Sequence, residues 1–171
     1  MVVRELNIED EDLVLEMIEE INNFDNNFEG LSNFKNIDDF HEFLLKIETN
    51  KHQELLPDNF SSQNTYCLFD EGRLIGGFNL RHNLVGNLIN HGGNIGYLIR
   101  PSERRKGYGT KMLAFALVKA KELGLTKVLV SCEINNIGSS KVIENNKGIY
   151  ENDYYDKLIN KTFKRYWINL E

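Results

Sequence analysis

The sequence predicts a mixed α/β (α+β) domain: a mostly antiparallel sheet built around a parallel β-α-β centre. Three observations carry this. Residues 94–100 read as an apolar strand, residues 107–123 as a helix, and residues 127–132 as a second apolar run. A strand, helix and strand in that order imply a right-handed crossover between parallel neighbours. On either side lie antiparallel signals, a hairpin over residues 65–80 and a pair of alternating strands over residues 149–155 and 162–170.

Taken in order, residues 2–6 form a short opening strand, and Asn7 or Glu9-Asp10 caps a helix over residues 12–24. Leu13, Met17, Ile21 and Phe24 recur at helical spacing on one side, with Glu16, Glu19 and Glu20 on the other. Helical periodicity returns over residues 37–48 through Phe40, Phe43, Leu44 and Ile47, with Asp38 and Asp39 at its start. Between these helices Phe28, Leu31 and Phe34 either plug the core edge or line an acceptor pocket. Asp70-Glu71-Gly72 is hairpin-turn chemistry joining residues 65–69 to residues 73–80, and Gly76-Gly77 marks a bulge or a close backbone approach. The long helix carries Leu113, Ala116, Leu117 and Ala120 on one face and stops at Gly124. Asn135-Asn136 caps a last helix over residues 137–146, with Val142 and Ile143 inward.

A chain of 171 residues without a Pro/Gly/Ser-rich linker is expected to form one domain, residues 1–171. Apolar residues at 41% exclude compositional disorder, and a net charge of -6 argues against a nucleic-acid partner while suiting a cationic small molecule or peptide. Cys67 and Cys132 sit inside apolar runs, as buried free thiols do. The first residues show no signal-peptide pattern and no segment is apolar enough to span a bilayer, so the expectation is a cytoplasmic protein with no membrane partner. A homodimer is compatible with the sequence, and no metal site is expected.

The stretch Ile95 to Thr110 concentrates the functional signal. A strand ends at Pro101, three basic residues follow, and Gly107 and Gly109 open a helix. Unpaired amides at a helix start, the helix dipole and glycine's tolerance of close approach together make a phosphate cradle. A Walker-type loop requires Lys then Ser/Thr after its last glycine, and Thr110-Lys111 reverses that order. A dinucleotide fingerprint requires a third glycine where Met112 stands, and a strand that runs up to the first glycine, whereas residues 101–106 intervene.

Arg104-Arg105-Lys106-Gly107-Tyr108-Gly109 resembles the Arg/Gln-x-x-Gly-x-Gly/Ala signature of the GCN5-related N-acetyltransferases, the GNAT family. Gly96 to Pro101 resembles that family's central strand and exit, Asn136-Ile137-Gly138-Ser139 resembles its Asn-x-x-Ala/Ser element, and the order of elements agrees over nearly the whole chain. The resemblance implies a GNAT-like fold and an N-acetyltransferase that takes acetyl-coenzyme A as cosubstrate and passes acetyl directly to a primary amine, on a small molecule or peptide. It implies pyrophosphate contacts from Arg104, Arg105, Lys106, Gly107, Tyr108, Gly109 and Thr110, and arm contacts from Leu98, Ile99, Asn136 and Ser139. The central strand is expected to splay from the next parallel strand to admit the arm, with a backbone N–H there polarising the thioester.

For proton transfer the sequence departs from the resembled pattern. Ile143 stands where many relatives carry a tyrosine acid. An amine titrating near ~10.4 needs a base or water chain at neutral pH. Glu133, after the second parallel strand, is the first candidate base, against an exposed loop carboxylate as its plain alternative; His82 is the second, with His91 on a neighbouring segment. Cys132 is assigned to the core. A catalytically idle coenzyme A sensor is the competing reading, motivated by Ile143, and a dinucleotide-binding oxidoreductase is third.

Overall fold

The structure is a computed structural model describing residues 1–24 and 39–170, with nothing said of the Phe24 side chain. Phe28, Leu31 and Phe34 therefore lie outside the described residues. Among the described residues seven strands and four α-helices follow in the order β1 (Val2–Arg4), α1 (Glu11–Phe24), α2 (Phe40–Thr49), β2 (Gln63–Asp70), β3 (Arg73–Arg81), β4 (Ile95–Ile99), α3 (Tyr108–Glu122), β5 (Lys127–Glu133), α4 (Ile137–Asn145), β6 (Ile149–Asp156) and β7 (Lys161–Asn169). Short 3₁₀ turns occupy several of the connections.

Two antiparallel sheets result, β1-β2-β3-β4 and β5-β7-β6. The β2–β3 hairpin turns on Glu71 and Gly72, both at positive φ (49° and 76°), the two-residue turn whose twist matches its strands. Gly76 and Gly77 follow a register shift: Leu68 faces Gly76 while Phe69 faces Leu74, which leaves Ile75 as the extra residue. A Cβ on Gly76 would lie 2.2 Å from the Leu98 carbonyl oxygen, so the bulge and the close approach both hold.

Packing follows the pleat. Val14, Met17, Ile21, Phe40, Phe43 and Ile47 of α1 and α2 bury one face of the first sheet against Cys67, Phe69, Leu74 and Leu98. On its other face Met112, Leu113, Ala116 and Ala120 of α3 bridge both sheets, meeting Phe78, Leu80 and Ile95 on one side and Val128, Val130 and Ile168 on the other. One helix thus holds two sheets together.

The α1 carboxylates Glu16 and Glu20, read from the sequence as the outer face of the helix, instead close on Arg100 at the end of β4. The Arg100 side chain is 1% exposed and donates to Glu16 Oε1 (2.9 Å), Glu20 Oε2 (2.9 Å from Nε) and the Leu74 carbonyl (3.0 Å). A buried guanidinium requires such partners, and helical periodicity cannot reveal one supplied 80 residues away.

The parallel centre takes a particular form. β4 and β5 flank α3 as expected, but no ladder joins them. They meet at one end, where the Asn94 N–H donates to the Leu129 carbonyl (2.7 Å) and the Leu129 N–H to Asn94 Oδ1 (2.9 Å). Beyond that clasp each strand is hydrogen-bonded within its own sheet only. A wedge opens between them toward the start of α3.

Candidate active site

The mouth of the wedge is the turn from Pro101 to Thr110. A 3₁₀ turn over Pro101–Glu103 follows Arg100, the Ser102 N–H donates to Glu20 Oε1 (2.5 Å), and the chain then passes through Arg105 and Gly107 at φ 63° and 84° before α3 begins. The Arg104 N–H finds the Pro101 carbonyl, and Lys111 finds Gly107. Among the described residues no amide from Arg105 to Thr110 donates to a backbone carbonyl outside the helix. Gly107 is the N-cap, and no atom lies within 4 Å of where its Cβ would stand, so the turn is open at that point. This arrangement fits a pyrophosphate.

The basic residues divide their work. Arg104 Nε donates back to the Ile99 carbonyl (3.1 Å), and Lys106 pairs with the buried Glu103 (3.0 Å), which also holds Arg73 (2.6 Å). Arg105 is exposed beside the open amides. Tyr108 donates its hydroxyl to Asp70 (2.6 Å), a bond that pushes its pKa up to about 12. Gly109 serves packing: a Cβ there would stand 3.0 Å from Val142 of α4. The Thr110 carbonyl accepts from Asn146 (3.1 Å).

Strand alternation decides which backbone groups line the wedge. Arg100 N–H bonds to Ile75 and Arg81 N–H to the Asn94 carbonyl, so the even-numbered residues of β4 turn their polar groups toward β3. Ile99 and Tyr97 turn theirs into the wedge. Leu98, expected to contact the arm, faces β3 with its backbone and buries its side chain in the α1/α2 core. On the opposite wall the Ile134 N–H donates to the Thr162 carbonyl of β7, so Ser131 and Glu133 of β5 project their backbone groups into the wedge.

At the start of α4, Asn136 caps the helix by accepting from the Ser139 N–H (3.0 Å). Ser139 also meets the Tyr97 hydroxyl at 2.8 Å, across the wedge. Burial holds the Tyr97 phenol well above the usual tyrosine range. Cys132 is buried, its thiol pushed up by that burial and 3.3 Å from the Ser140 hydroxyl, and Ile143 is wholly enclosed in the core.

Of the expected bases, Glu133 is half-exposed at the end of β5 and pairs with Lys161 (2.9 Å). His82 is otherwise engaged: Nδ1 lies 3.0 Å from the Ser62 hydroxyl and Nε2 2.7 Å from Asn64 Oδ1, and burial lowers its pKa. Because Asn64 Oδ1 only accepts, Nε2 carries the proton and Nδ1 accepts from Ser62. With both nitrogens used, His82 ties β2 to β3 and is withdrawn as a proton acceptor. Two clefts of about 400 and 420 Å³ lie elsewhere, one between β1 and α2 and one beside Phe60 and Leu88, and neither includes a residue of the wedge. No helix among the described residues is long and apolar enough to cross a membrane.

An anion cradle opening onto a wedge between two strands, with the Tyr97 and Ile99 amides of β4 turned into it, fits a phosphorylated carrier whose arm lies along a strand edge. Residues 1–148 match the family described as Acetyltransferase (GNAT) domain. The chain belongs to that family, whose enzymes are acetyl-coenzyme A-dependent N-acetyltransferases. Solved structures share the fold. The ribosomal L7/L12 alpha-N-protein acetyltransferase RimL, in complex with coenzyme A, superposes with a TM-score of 0.70 at 15% identity, covering 98% of this chain and 93% of that one. The yncA protein of Salmonella typhimurium with its cofactor acetyl-CoA gives 0.66 at 14% identity over 99% and 94%. A variant of the spermidine N-acetyltransferase SpeG from Vibrio cholerae gives 0.66 at 17% over 99% and 95%. No curated protein matches the chain in a sequence search.

Proposed function

We propose that the protein transfers acetyl from acetyl-coenzyme A directly to a primary amine carried by a small molecule or peptide. The observation that supports this most is the continuity of the open amides from Arg105 to Thr110 with the Tyr97 and Ile99 amides on the inner edge of β4. The bound cosubstrate supplies an activated acetyl thioester. Arg105 and the amides around Gly107 hold its pyrophosphate, with Arg104, Lys106, Tyr108, Gly109 and Thr110 shaping the turn. Ile99 and Tyr97 pair with the arm as a neighbouring strand would, and Asn136 and Ser139 meet it from α4. The Tyr97 N–H donates to the thioester carbonyl oxygen as negative charge develops there.

The acceptor belongs at the far wall, where Glu133 faces it with a carboxylate suited to an ammonium. Relatives of this fold are described as acting on spermidine or on a ribosomal protein, and the net charge of -6 suits cationic acceptors of either kind. The idle-sensor reading draws support from Ile143, which leaves no hydroxyl at the position where related enzymes carry a tyrosine. Thiol release from acetyl-coenzyme A separates the two. The transfer reading expects release with at least one of spermidine, an aminoglycoside, free lysine, a lysine peptide or a peptide N-terminus. Micromolar coenzyme A binding with no release from any would favour the sensor.

A further inference from the structure

We propose that His91, positioned by Asp156, accepts the proton that the amine sheds, so that an imidazole–carboxylate pair works where sequence reading placed Glu133. This rests on the acetyl-transfer reading above. His91 lies in the connection between β3 and β4, three residues before the Asn94–Leu129 clasp. Its backbone is fixed from two sides. The Ser131 hydroxyl donates to the His91 carbonyl, and Arg81 reaches under the same loop to the Gly92 and Gly93 carbonyls (3.2 Å each). The His91 N–H in turn donates to Asn87 (3.0 Å).

The ring is equally constrained. It stacks on Phe163 of β7 at 4.5 Å and lies 6.1 Å from Tyr154 of β6. Nε2 stands 2.9 Å from Asp156 Oδ2, an off-axis contact, and the carboxylate is 5% exposed against 19% for the imidazole. Asp156 is held in turn, Oδ1 accepting from the Leu158 N–H (2.8 Å). Among the described residues no hydrogen bond engages Nδ1. Asp156 is the carboxylate in contact with the ring; the Lys161–Glu133 ion pair shares the same face of the second sheet, Phe163 and Tyr154 present rings, Ser131 a hydroxyl, and Arg81 meets only the loop carbonyls.

Location makes this pair relevant. Phe163 lies opposite Glu133 in the β5–β7 register, so the two share the face of the second sheet over which His91 is laid. An arm rooted at the cradle and lying along the inner edge of β4 carries its reactive end toward the start of that strand, where the wedge closes and where His91 is pinned. A carboxylate behind an imidazole fixes its orientation and stabilises the imidazolium that forms.

The ammonium first loses one proton to water. The nitrogen lone pair then bonds to the thioester carbonyl carbon, the C–S bond breaks with its electron pair on sulfur, and the proton displaced from nitrogen passes to His91 Nδ1. The thiolate takes a proton from solvent and the imidazolium returns one.

The test uses the full chain, with acetyl-coenzyme A and whichever amine of the panel releases thiol fastest. His91→Gln is expected to lower kcat about 10²-fold, leave the KM for acetyl-coenzyme A and the Tm near their starting values, and flatten the acid limb of kcat/KM against pH. Asp156→Asn keeps an oxygen for Leu158 and lowers kcat about tenfold with the KM for acetyl-coenzyme A unchanged. Should His91→Gln fail to fold, that split decides, and a kcat for Asp156→Asn within twofold of the unmodified chain overturns the assignment. Equal turnover and pH profile in His91→Gln and the unmodified chain would overturn the role of His91 alone. No turnover by the unmodified chain would overturn the transfer reading itself.

Discussion

The two ends of β4 are both anchored by an arginine, and by opposite means. At the cradle end Arg100 is fully buried and neutralised by two α1 carboxylates. At the clasp end Arg81 meets carbonyls only, and burial lowers its pKa with no acid beside it. One end is an ionic clamp that also fixes the amide of Ser102, just ahead of the cradle, while the other is a guanidinium donating to neutral carbonyls that hold the loop carrying His91. The cradle therefore depends on α1, which contributes nothing to the wedge itself, whereas the clasp is assembled from its own neighbours.

Breaking each anchor should expose that difference. The largest effect is expected from Arg100→Met, which strands Glu16, Glu20 and the Leu74 carbonyl; about 2–4 kcal/mol of stability should be lost in urea denaturation, held below the fully buried case because Glu16 is largely exposed. Arg81→Met should cost about 1–2 kcal/mol, the worth of two neutral acceptors left unpaired, and should lower kcat with little change in coenzyme A affinity. Gly107→Val should weaken coenzyme A binding more than tenfold by calorimetry while destabilising the fold by only about 1 kcal/mol, since its φ of 84° disfavours a side chain and bulk covers the open amides. Glu133→Gln should be mildest: a KM for the amine raised up to roughly fivefold with kcat within twofold, as expected of a half-exposed charge already paired. Activity within twofold in every respect and at every pH would remove Glu133 from the site.

Much of this was legible in the sequence, for physical reasons that also mark the limit. Periodicity placed the helices and strands to within a few residues because burial enforces it, and the turn chemistry of Asp70-Glu71-Gly72 marked the β2–β3 hairpin. The glycine-lined helix start at Gly107 was readable since it lies in consecutive residues. Arg100 with Glu20, and His91 with Asp156, join residues 80 and 65 positions apart in sequence, which no local pattern encodes. Leu98 was a failure of another kind. The strand was identified correctly, but the edge each residue presents depends on the β3 register, and that moved the wedge-facing amide to Tyr97. His82 looked available until Ser62 and Asn64, at the start of β2, filled both nitrogens.

The most direct test of the central claim is residue-resolved amide hydrogen exchange of the full chain with and without coenzyme A. Protection should appear at Arg105 to Thr110 and at Tyr97, while Leu98, already bonded to β3, stays as it was. Protection confined to the cleft lined by Glu5, Leu44 and Lys51, with none from Arg105 to Thr110, would contradict the account.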